Sequence, residues 1–376
     1  MRALAVRGCG LSALPASFGG LDGLEHLDLS ENRLEALPGS LADLPRLESA
    51  YFDDNRLGAL PEGIANLARL RELHVDNNRL ESLPAGLGRL DRLEVLNARG
   101  NRLGVIPEAV GALTRLRDLR LGQNPLRSAP ASLWALTGLE VLDLSEAGLS
   151  SLPEGIEALK RLRMLDLGHN ALASVPEGVG DLGALSDALY LSDNRLDAIP
   201  AALGRLSRLA YLNVTDNRLI ALPEAIGGLS GLIELRLYNN RLASLPEAIG
   251  RLARLRELHL SRNELRALPP TLGALRELRE LRLQDNRLEA LPESVGELTR
   301  LGALDLRNNR LASLPGSIGR LRGLRQLDLR ANRLVSLPES LGDLTGLEKL
   351  DLRWNKLSAL PASAARLRER GCVVLH

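Results

Sequence analysis

The chain repeats one pattern of apolar and polar positions over nearly its whole length. Each repeat follows LxxLxxLxLxxNxLxxLPxxIGxL, and its asparagine recurs at a nearly constant interval. In the LxL segment, apolar residues alternate with an outward residue, as expected of a short strand with one buried face. The sequence therefore predicts one strand per repeat, stacked into a parallel sheet. The anchor asparagines are Asn32, Asn55, Asn78, Asn101, Asn124, Asn170, Asn194, Asn217, Asn240, Asn263, Asn286, Asn309, Asn332 and Asn355.

Two further positions predict how the chain leaves each strand. The anchor asparagine stands where the chain must turn with buried backbone groups, and its amide can bond them, so stacked repeats should form an asparagine ladder. A proline follows six residues later in every repeat, from Pro15 to Pro361, and ends the extended conformation. A short helical or 3₁₀ turn is expected next, ending at a frequent glycine such as Gly19 or Gly250.

Two repeats depart from the pattern. Ala147 replaces the anchor asparagine of the seventh repeat, which should weaken the stack by roughly 1–3 kcal/mol if a buried backbone group goes unpaired. The repeat that ends at Asn194 is one residue longer than the others. Neither terminus resembles a polar capping repeat, and Val373 and Leu375 fit a last strand. We expect either a fragment of a larger protein or self-association through exposed sheet edges.

In length and order, these repeats match the leucine-rich-repeat signature. The sequence resembles the 23-residue LPxxIG subclass, which occurs in Shoc-2-like intracellular scaffolds and bacterial relatives. The resemblance implies an α/β leucine-rich-repeat solenoid, a curved horseshoe with a parallel β-sheet on its concave face and short helical or 3₁₀ turns on its convex face. It also implies protein binding on the concave face. The expected organisation is a single domain over residues 1–376, with 16 such units plus a terminal strand.

Composition narrows the expected partners and compartment. Hydrophobic residues reach 45% and aromatic residues only 2%, so the core must be aliphatic. The net charge of +1 favours neither nucleic acid nor an anionic membrane as a partner. No secretory signal or long apolar span is present, which favours the cytoplasm. Cys9 and Cys372 are expected to be reduced core thiols, because stacked repeats would separate them too far for a disulfide.

The sequence indicates no catalytic, cofactor or metal site. It has five histidines, no two of them three to five residues apart, and no CxxC, HExxH or phosphate-binding string. The carboxylates Asp305, Asp328 and Asp351 project from successive predicted strands, and each precedes an arginine by two residues. They are interpreted as a solvated ladder of ion pairs.

A partner-binding site is predicted on the outward positions of the central strands. All four tyrosines fall at such positions, as interfaces favour, although tyrosine also simply suits strands. Six residues before the anchor, four successive repeats carry apolar residues or tyrosine where other repeats are mostly polar, and Gly122 and Gly168 remove further bulk. This depression is either an interaction site or drift in irregular repeats. Its candidate contacts are Val141, Met164, His169, Tyr190, Tyr211 and Tyr238.

The leading hypothesis is a non-catalytic interaction module or scaffold that binds a protein partner without a cofactor. One alternative is the recognition region of a larger ligase or kinase whose catalytic domain lies outside the sequence. Another is a structural solenoid that associates end to end.

Overall fold

The chain, described over residues 1–376 in a computed structural model, forms two compact units, Met1–Leu185 and Ser186–His376. The boundary lies in the repeat that carries the extra residue. Each unit consists of three-residue parallel strands connected by short 3₁₀ helices. The predicted α/β class of parallel strands and short turns is confirmed.

The first unit has eight strands, which pair in chain order at a constant offset of one repeat, as Val141 does with Met164. They are β1 (Ala3–Ala5), β2 (His26–Asp28), β3 (Ser49–Tyr51), β4 (Glu72–His74), β5 (Val95–Asn97), β6 (Asp118–Arg120), β7 (Val141–Asp143) and β8 (Met164–Asp166). The 3₁₀ helices are Ala16–Gly20, Gly39–Asp43, Glu62–Asn66, Ala85–Arg89, Glu108–Ala112, Ala131–Ala135, Ile156–Ala158 and Glu177–Asp181.

The second unit has nine strands with the same offset until the last pair, in which Leu350 faces Val374. The strands are β9 (Ala188–Tyr190), β10 (Tyr211–Asn213), β11 (Glu234–Arg236), β12 (Glu257–His259), β13 (Glu280–Arg282), β14 (Ala303–Asp305), β15 (Gln326–Asp328), β16 (Lys349–Asp351) and β17 (Val373–Leu375). The 3₁₀ helices are Ala201–Arg205, Glu224–Gly228, Glu247–Arg251, Pro270–Ala274, Glu293–Glu297, Gly316–Arg320 and Glu339–Asp343, and one α-helix, α1 (Ala362–Glu369), precedes β17.

Leucines on the inward side of each repeat form the core. In the repeat of β13, Leu281, Leu283 and Leu288 are fully buried. Pro292 then has a φ of −68° and a ψ of 149°, and the 3₁₀ helix Glu293–Glu297 follows it directly. The proline ring fixes this φ and removes a backbone donor, so the strand cannot continue.

The asparagine ladder is confirmed. The side-chain nitrogen of Asn78 donates to the carbonyl oxygens of Phe52 at 2.9 Å, Val75 at 3.2 Å and Asp76 at 3.1 Å. Its side-chain oxygen accepts the N–H of Leu57 at 3.0 Å. One buried amide therefore joins two consecutive repeats and pairs backbone groups that would otherwise lack partners.

The expected weakening at Ala147 does not follow, because the local backbone rearranges. The N–H of Leu126, which an anchor asparagine would accept, donates instead to the carbonyl of Asn124 at 2.8 Å. The N–H of Arg127 donates to the carbonyl of Ala147 at 2.9 Å, and the φ of Arg127 is +65°. Asn170 accepts the N–H of Ala147 at 3.1 Å. The groups around the missing amide are thus paired by other means.

The glycines of the turns have a different role from the predicted one. Gly250 is the fourth of five residues in its 3₁₀ helix rather than the residue that ends it. A Cβ on Gly250 would lie 2.4 Å from the carbonyl oxygen of Thr271, and one on Gly319 would lie 2.2 Å from that of Ser340. Glycine is required because the turns of consecutive repeats pack closely.

A left-handed residue before each anchor asparagine was not predicted. The φ angle is +54° at Asp54, +52° at Asn77 and +55° at His169, and Gly100 has +66°. Glycine, asparagine and aspartate tolerate this conformation best, so their frequency in this column of the sequence was an available signal. The turn aligns outward side chains, and the amide of Asn77 donates to the Asp54 carboxylate at 2.9 Å.

The two cysteines differ in environment. Cys372 is buried, and burial raises the pKa of its thiol. Cys9 is exposed, so the prediction of a core thiol was wrong at this position. It lies in the first repeat, where the only stacked neighbour is the repeat of β2, and half of the usual cover is missing.

Candidate functional site

The exposed face of each sheet carries the first and third residues of every strand. In β10, Leu212 is fully buried, whereas Tyr211 and Asn213 are only partly covered. This alternation follows from the pleat of the strand, and stacking at a constant offset places equivalent residues side by side.

Three of the predicted contacts lie in the first unit. Val141 and Met164 are the first residues of β7 and β8, are directly paired in the sheet and are partly covered. His169 follows β8 in the left-handed conformation. The structure therefore brings Val141 and Met164 together as adjacent apolar side chains.

The surface beside this apolar pair is less apolar than predicted. A Cβ on Gly122 would lie 2.7 Å from the carboxylate of Asp143 and 2.7 Å from the hydroxyl of Ser145, so polar side chains fill the space that this glycine leaves. Asp143 is buried and accepts the Ser145 hydroxyl at 2.6 Å. Burial also raises the pKa of Asp166, although the N–H of Gly168 opposes the shift.

The second unit holds the predicted tyrosines, and two of them are in contact. The rings of Tyr190 and Tyr211 have centroids 5.2 Å apart and are tilted by 46°. The guanidinium of Arg236 lies 5.5 Å from the centroid of the Tyr211 ring. This separation allows a cation–π interaction. Burial raises the pKa of Tyr211 to about 12. Tyr238 is 37% exposed, and we name Tyr190, Tyr211, Arg236 and Tyr238 the aromatic cluster.

The remaining tyrosine has a separate environment in the first unit. The ring of Tyr51 stacks on His74 with centroids 4.5 Å apart, and its hydroxyl donates to the Glu72 carboxylate. Burial, followed by this hydrogen bond, raises the pKa of Tyr51 to about 12. Nearby, burial raises the pKa values of Asp53 and Asp76 to about 6. This end of the sheet is acidic and partly buried.

The predicted ladder of ion pairs is present in the second unit, but it is not uniformly solvated. Arg330 pairs with Asp328 at 2.5 Å and reaches Asp351 on the next strand at 3.4 Å. Arg353 pairs with Asp351 at 2.7 Å. The Asp351 side chain is only 2% exposed, and burial alone would raise its pKa, but the two arginines outweigh burial and lower it.

A cluster of ligand-type side chains lies beside the aromatic cluster and was missed by the sequence reasoning. Glu234 of β11 and Glu257 and His259 of β12 place one donor atom each within 4.8 Å of the others. A search for spacings along the chain does not find this cluster, because its members come from two strands that lie one whole repeat apart. Comparison of equivalent positions in consecutive repeats would have revealed it.

No helix has the length and apolar character needed to cross a membrane.

The comparisons with known proteins agree with the repeat architecture. The family described as Leucine rich repeat matches residues 1–57, 68–126, 114–172, 276–334 and 300–357. The family described as Leucine-rich repeat region matches residues 200–282. These matches cover most of the chain, and the chain belongs to the leucine-rich-repeat family. A comparison with curated proteins gives no match.

Solved structures give the same assignment. A leucine-rich-repeat protein of Leptospira interrogans is 34% identical, with a TM-score of 0.90, and the match covers 99% of this chain and 94% of that one. The plant peptide hormone receptor RGFR1, solved in complex with RGF2, is 30% identical with a TM-score of 0.83 over 95% of this chain. A TDR receptor is 30% identical with a TM-score of 0.79 over 92% of this chain. The chain spans only 60% and 62% of these two receptor chains.

Proposed function

We propose that the chain is a non-catalytic recognition module that binds a peptide or protein partner on the exposed sheet face of its second unit, through the aromatic cluster. The observation that carries the proposal is the contact of Tyr190 with Tyr211 beneath the Arg236 guanidinium. We also propose membership of the 23-residue LPxxIG subclass, a cytoplasmic setting, and no nucleic-acid or membrane partner.

The side chains of the aromatic cluster have the properties of interface anchors. Tyrosine and arginine are enriched at the centre of protein interfaces, because they offer large contact area with little conformational freedom to lose. Tyr211 is held between Tyr190 and Arg236, so its orientation is set before a partner arrives. Tyr238 leaves more than a third of its surface exposed for contact. A pre-ordered cluster lowers the entropic cost of binding.

The similar solved structures support the proposed class of partner. Leucine-rich-repeat structures commonly mediate protein recognition, and the plant peptide hormone receptor RGFR1 was solved in complex with RGF2. For this chain we propose the class of partner alone, a peptide or protein segment. Val141, Met164 and His169 are proposed contacts on the first unit, and separate substitutions of Val141 and Met164 test that surface.

The test is selection of peptides on the immobilised full chain from a random display library, followed by measurement of Kd for a selected peptide. Tyr211→Ala and Tyr190→Ala should each weaken binding at least about tenfold, as loss of a central anchor does. Tyr51→Ala is the matched control, because Tyr51 and Tyr190 are both the third residue of their strands. It should leave Kd within about twofold.

Three outcomes contradict the proposal: no peptide is retained above background, the tyrosine variants bind as the wild type does, or Tyr51→Ala weakens binding equally. Met164→Glu and Val141→Glu, assayed with the same peptide, test the first unit. Light scattering on the same preparations over a wide concentration range measures self-association directly.

A further inference from the structure

Glu234, Glu257 and His259 form a compact set of donors on the exposed face of the second unit. The Nε2 atom of His259 lies 3.3 Å from the nearest carboxylate oxygen of Glu257 and 3.8 Å from that of Glu234. His259 is only 8% exposed, so its imidazole is held in place by the neighbouring strands. The three backbones are equally fixed, because Glu234 pairs with Glu257, and Arg236 with His259, in the sheet.

From this geometry we infer that the three side chains bind one divalent transition-metal ion of the zinc type. Donors about 2.1 Å from zinc in a tetrahedral arrangement are separated by about 3.4 Å. The observed separations from His259 are 3.3 Å and 3.8 Å, and all three donor atoms lie within 4.8 Å of one another, so rotation of the two glutamate side chains can bring them to this value. An imidazole with two carboxylates suits zinc and its neighbours in the transition series, and three ligands leave a coordination position open.

The surrounding charges permit a cation at this place. Arg236 already pairs with the Glu234 carboxylate, and Arg282 pairs with Glu280. The same depression is lined by Arg262, Asp285 and Arg307, and Arg307 pairs with Asp305. With these residues and Glu257, five carboxylates face four guanidiniums, which leaves one net negative charge when His259 is neutral. The Glu234 oxygen nearest His259, Oε1, is also the one that Arg236 binds. A carboxylate has two oxygens, so rotation of the Glu234 side chain can present Oε2 to the metal while Arg236 stays on Oε1.

A second observation points to a ligand here. Glu257 and His259 line a depression of about 520 Å³ that is also lined by Gln284 of the next repeat. The side-chain oxygen of Gln284 is buried and has no hydrogen-bond partner. Buried polar atoms are almost always paired, so an unpaired oxygen in the wall of the depression that Glu257 and His259 line is a feature expected of a ligand-binding surface.

The chain contains its own negative control. The tetrapeptide Arg-Glu-Leu-His occurs twice, at residues 71–74 and 256–259. In the first copy, His74 and Glu72 stand as His259 and Glu257 do, with 4.0 Å between Nε2 and the nearest carboxylate oxygen. The preceding strand there carries Ser49 in place of Glu234. The first copy therefore lacks the second carboxylate, and Tyr51 also covers its imidazole.

The test is equilibrium dialysis of the full chain against Zn²⁺ alone, with metal content measured by elemental analysis. All proteins carry Cys9→Ser, because Cys9 is exposed and a free thiol can bind zinc by itself. The parent should bind one Zn²⁺ that His259→Gln loses. Glu234→Ser, which reproduces the environment of His74, should weaken affinity at least about tenfold. His74→Gln should bind as the parent does.

Far-ultraviolet circular dichroism checks that each variant is folded. Because Glu234→Ser replaces a partly exposed residue, this variant still tests the zinc site if His259→Gln fails to fold. The inference is overturned if the parent protein binds no zinc, if Glu234→Ser binds zinc as tightly as the parent does, or if His74→Gln loses as much zinc affinity as His259→Gln does. Zinc binding is measured without a peptide, so its failure leaves the proposed recognition function untouched, and the reverse also holds.

Discussion

Replacing one ladder asparagine measures what a single amide contributes to the stack. In the second unit, the side-chain nitrogen of Asn240 donates to the carbonyls of Val214 at 2.9 Å, Leu237 at 3.1 Å and Tyr238 at 3.4 Å. Its side-chain oxygen accepts the N–H of Leu219 at 3.0 Å. Asn240→Ala removes all four hydrogen bonds without touching the surface, because Asn240 is buried.

The loss is smaller than four hydrogen bonds, because each of the three carbonyls has a second donor. The carbonyl of Val214 also accepts from Asn217, that of Leu237 from Asn263, and that of Tyr238 from the N–H of Asp216. Only the N–H of Leu219 loses its acceptor. An unpaired buried N–H costs about 1–3 kcal/mol, whereas four net hydrogen bonds at about 1 kcal/mol each would total about 4 kcal/mol. We expect a loss of about 1–3 kcal/mol.

Urea denaturation measures the change in the free energy of unfolding, and hydrogen exchange locates it. Because long repeat arrays need not unfold in a single step, faster exchange of the Leu219 amide is the more direct readout. Arg241→Ala is the control, because Arg241 is an exposed neighbour and its replacement should change stability by less than about 0.5 kcal/mol. An unchanged Leu219 exchange rate, or a loss of about 4 kcal/mol or more, would refute the reasoning.

Three further substitutions are informative. Gly250→Ala places a Cβ 2.4 Å from a backbone oxygen and should destabilise the protein by about 1–3 kcal/mol, measured by thermal unfolding. Gly104→Ala is the control, because nothing lies within 4 Å of a Cβ there, and it should be neutral or slightly stabilising. Ala147→Asn should not stabilise, because Leu126 already has an acceptor and Ala147 is fully buried; a raised melting temperature would contradict this. Burial raises the pKa of Asp53 from 3.8 to about 6, so the native state holds this proton more tightly than the unfolded state, and the wild type should lose stability as pH rises through that interval. Asp53→Asn should flatten this part of the urea pH profile, and an unchanged slope would count against it.

The sequence predicted the strands well because one period controls several interactions at once. In most repeats, a leucine at the centre of the strand, an asparagine after it and a proline six residues later all require the same register, as the contacts of Asn78 and the backbone of Pro292 show. A shift of one residue would turn the leucines toward solvent. Local and long-range preferences therefore agree, and the fold follows from the pattern.

Features that depend on atomic distances between repeats were not predictable in this way. The close approach of Gly250 to Thr271 and the rerouted N–H of Leu126 depend on the exact spacing of neighbouring atoms. The carboxylate of Asp143 lies beside Gly122 of the preceding repeat, and a contact between consecutive repeats cannot be identified from a local sequence pattern. For the candidate site, the sequence identified the tyrosines, but the orientation of Arg236 over Tyr211 required the structure.

Because consecutive strands are offset by one whole repeat, the exposed sheet face can change by whole repeats during evolution. Within the second unit, Glu234, Glu257 and Glu280 occupy equivalent positions in consecutive repeats. Removal or duplication of one whole repeat between these strands would join the chain at equivalent points and leave every leucine layer intact. Recombination between the repeated gene segments can therefore lengthen or shorten the exposed sheet face in one step, and bring side chains into contact that no single-residue substitution would make neighbours.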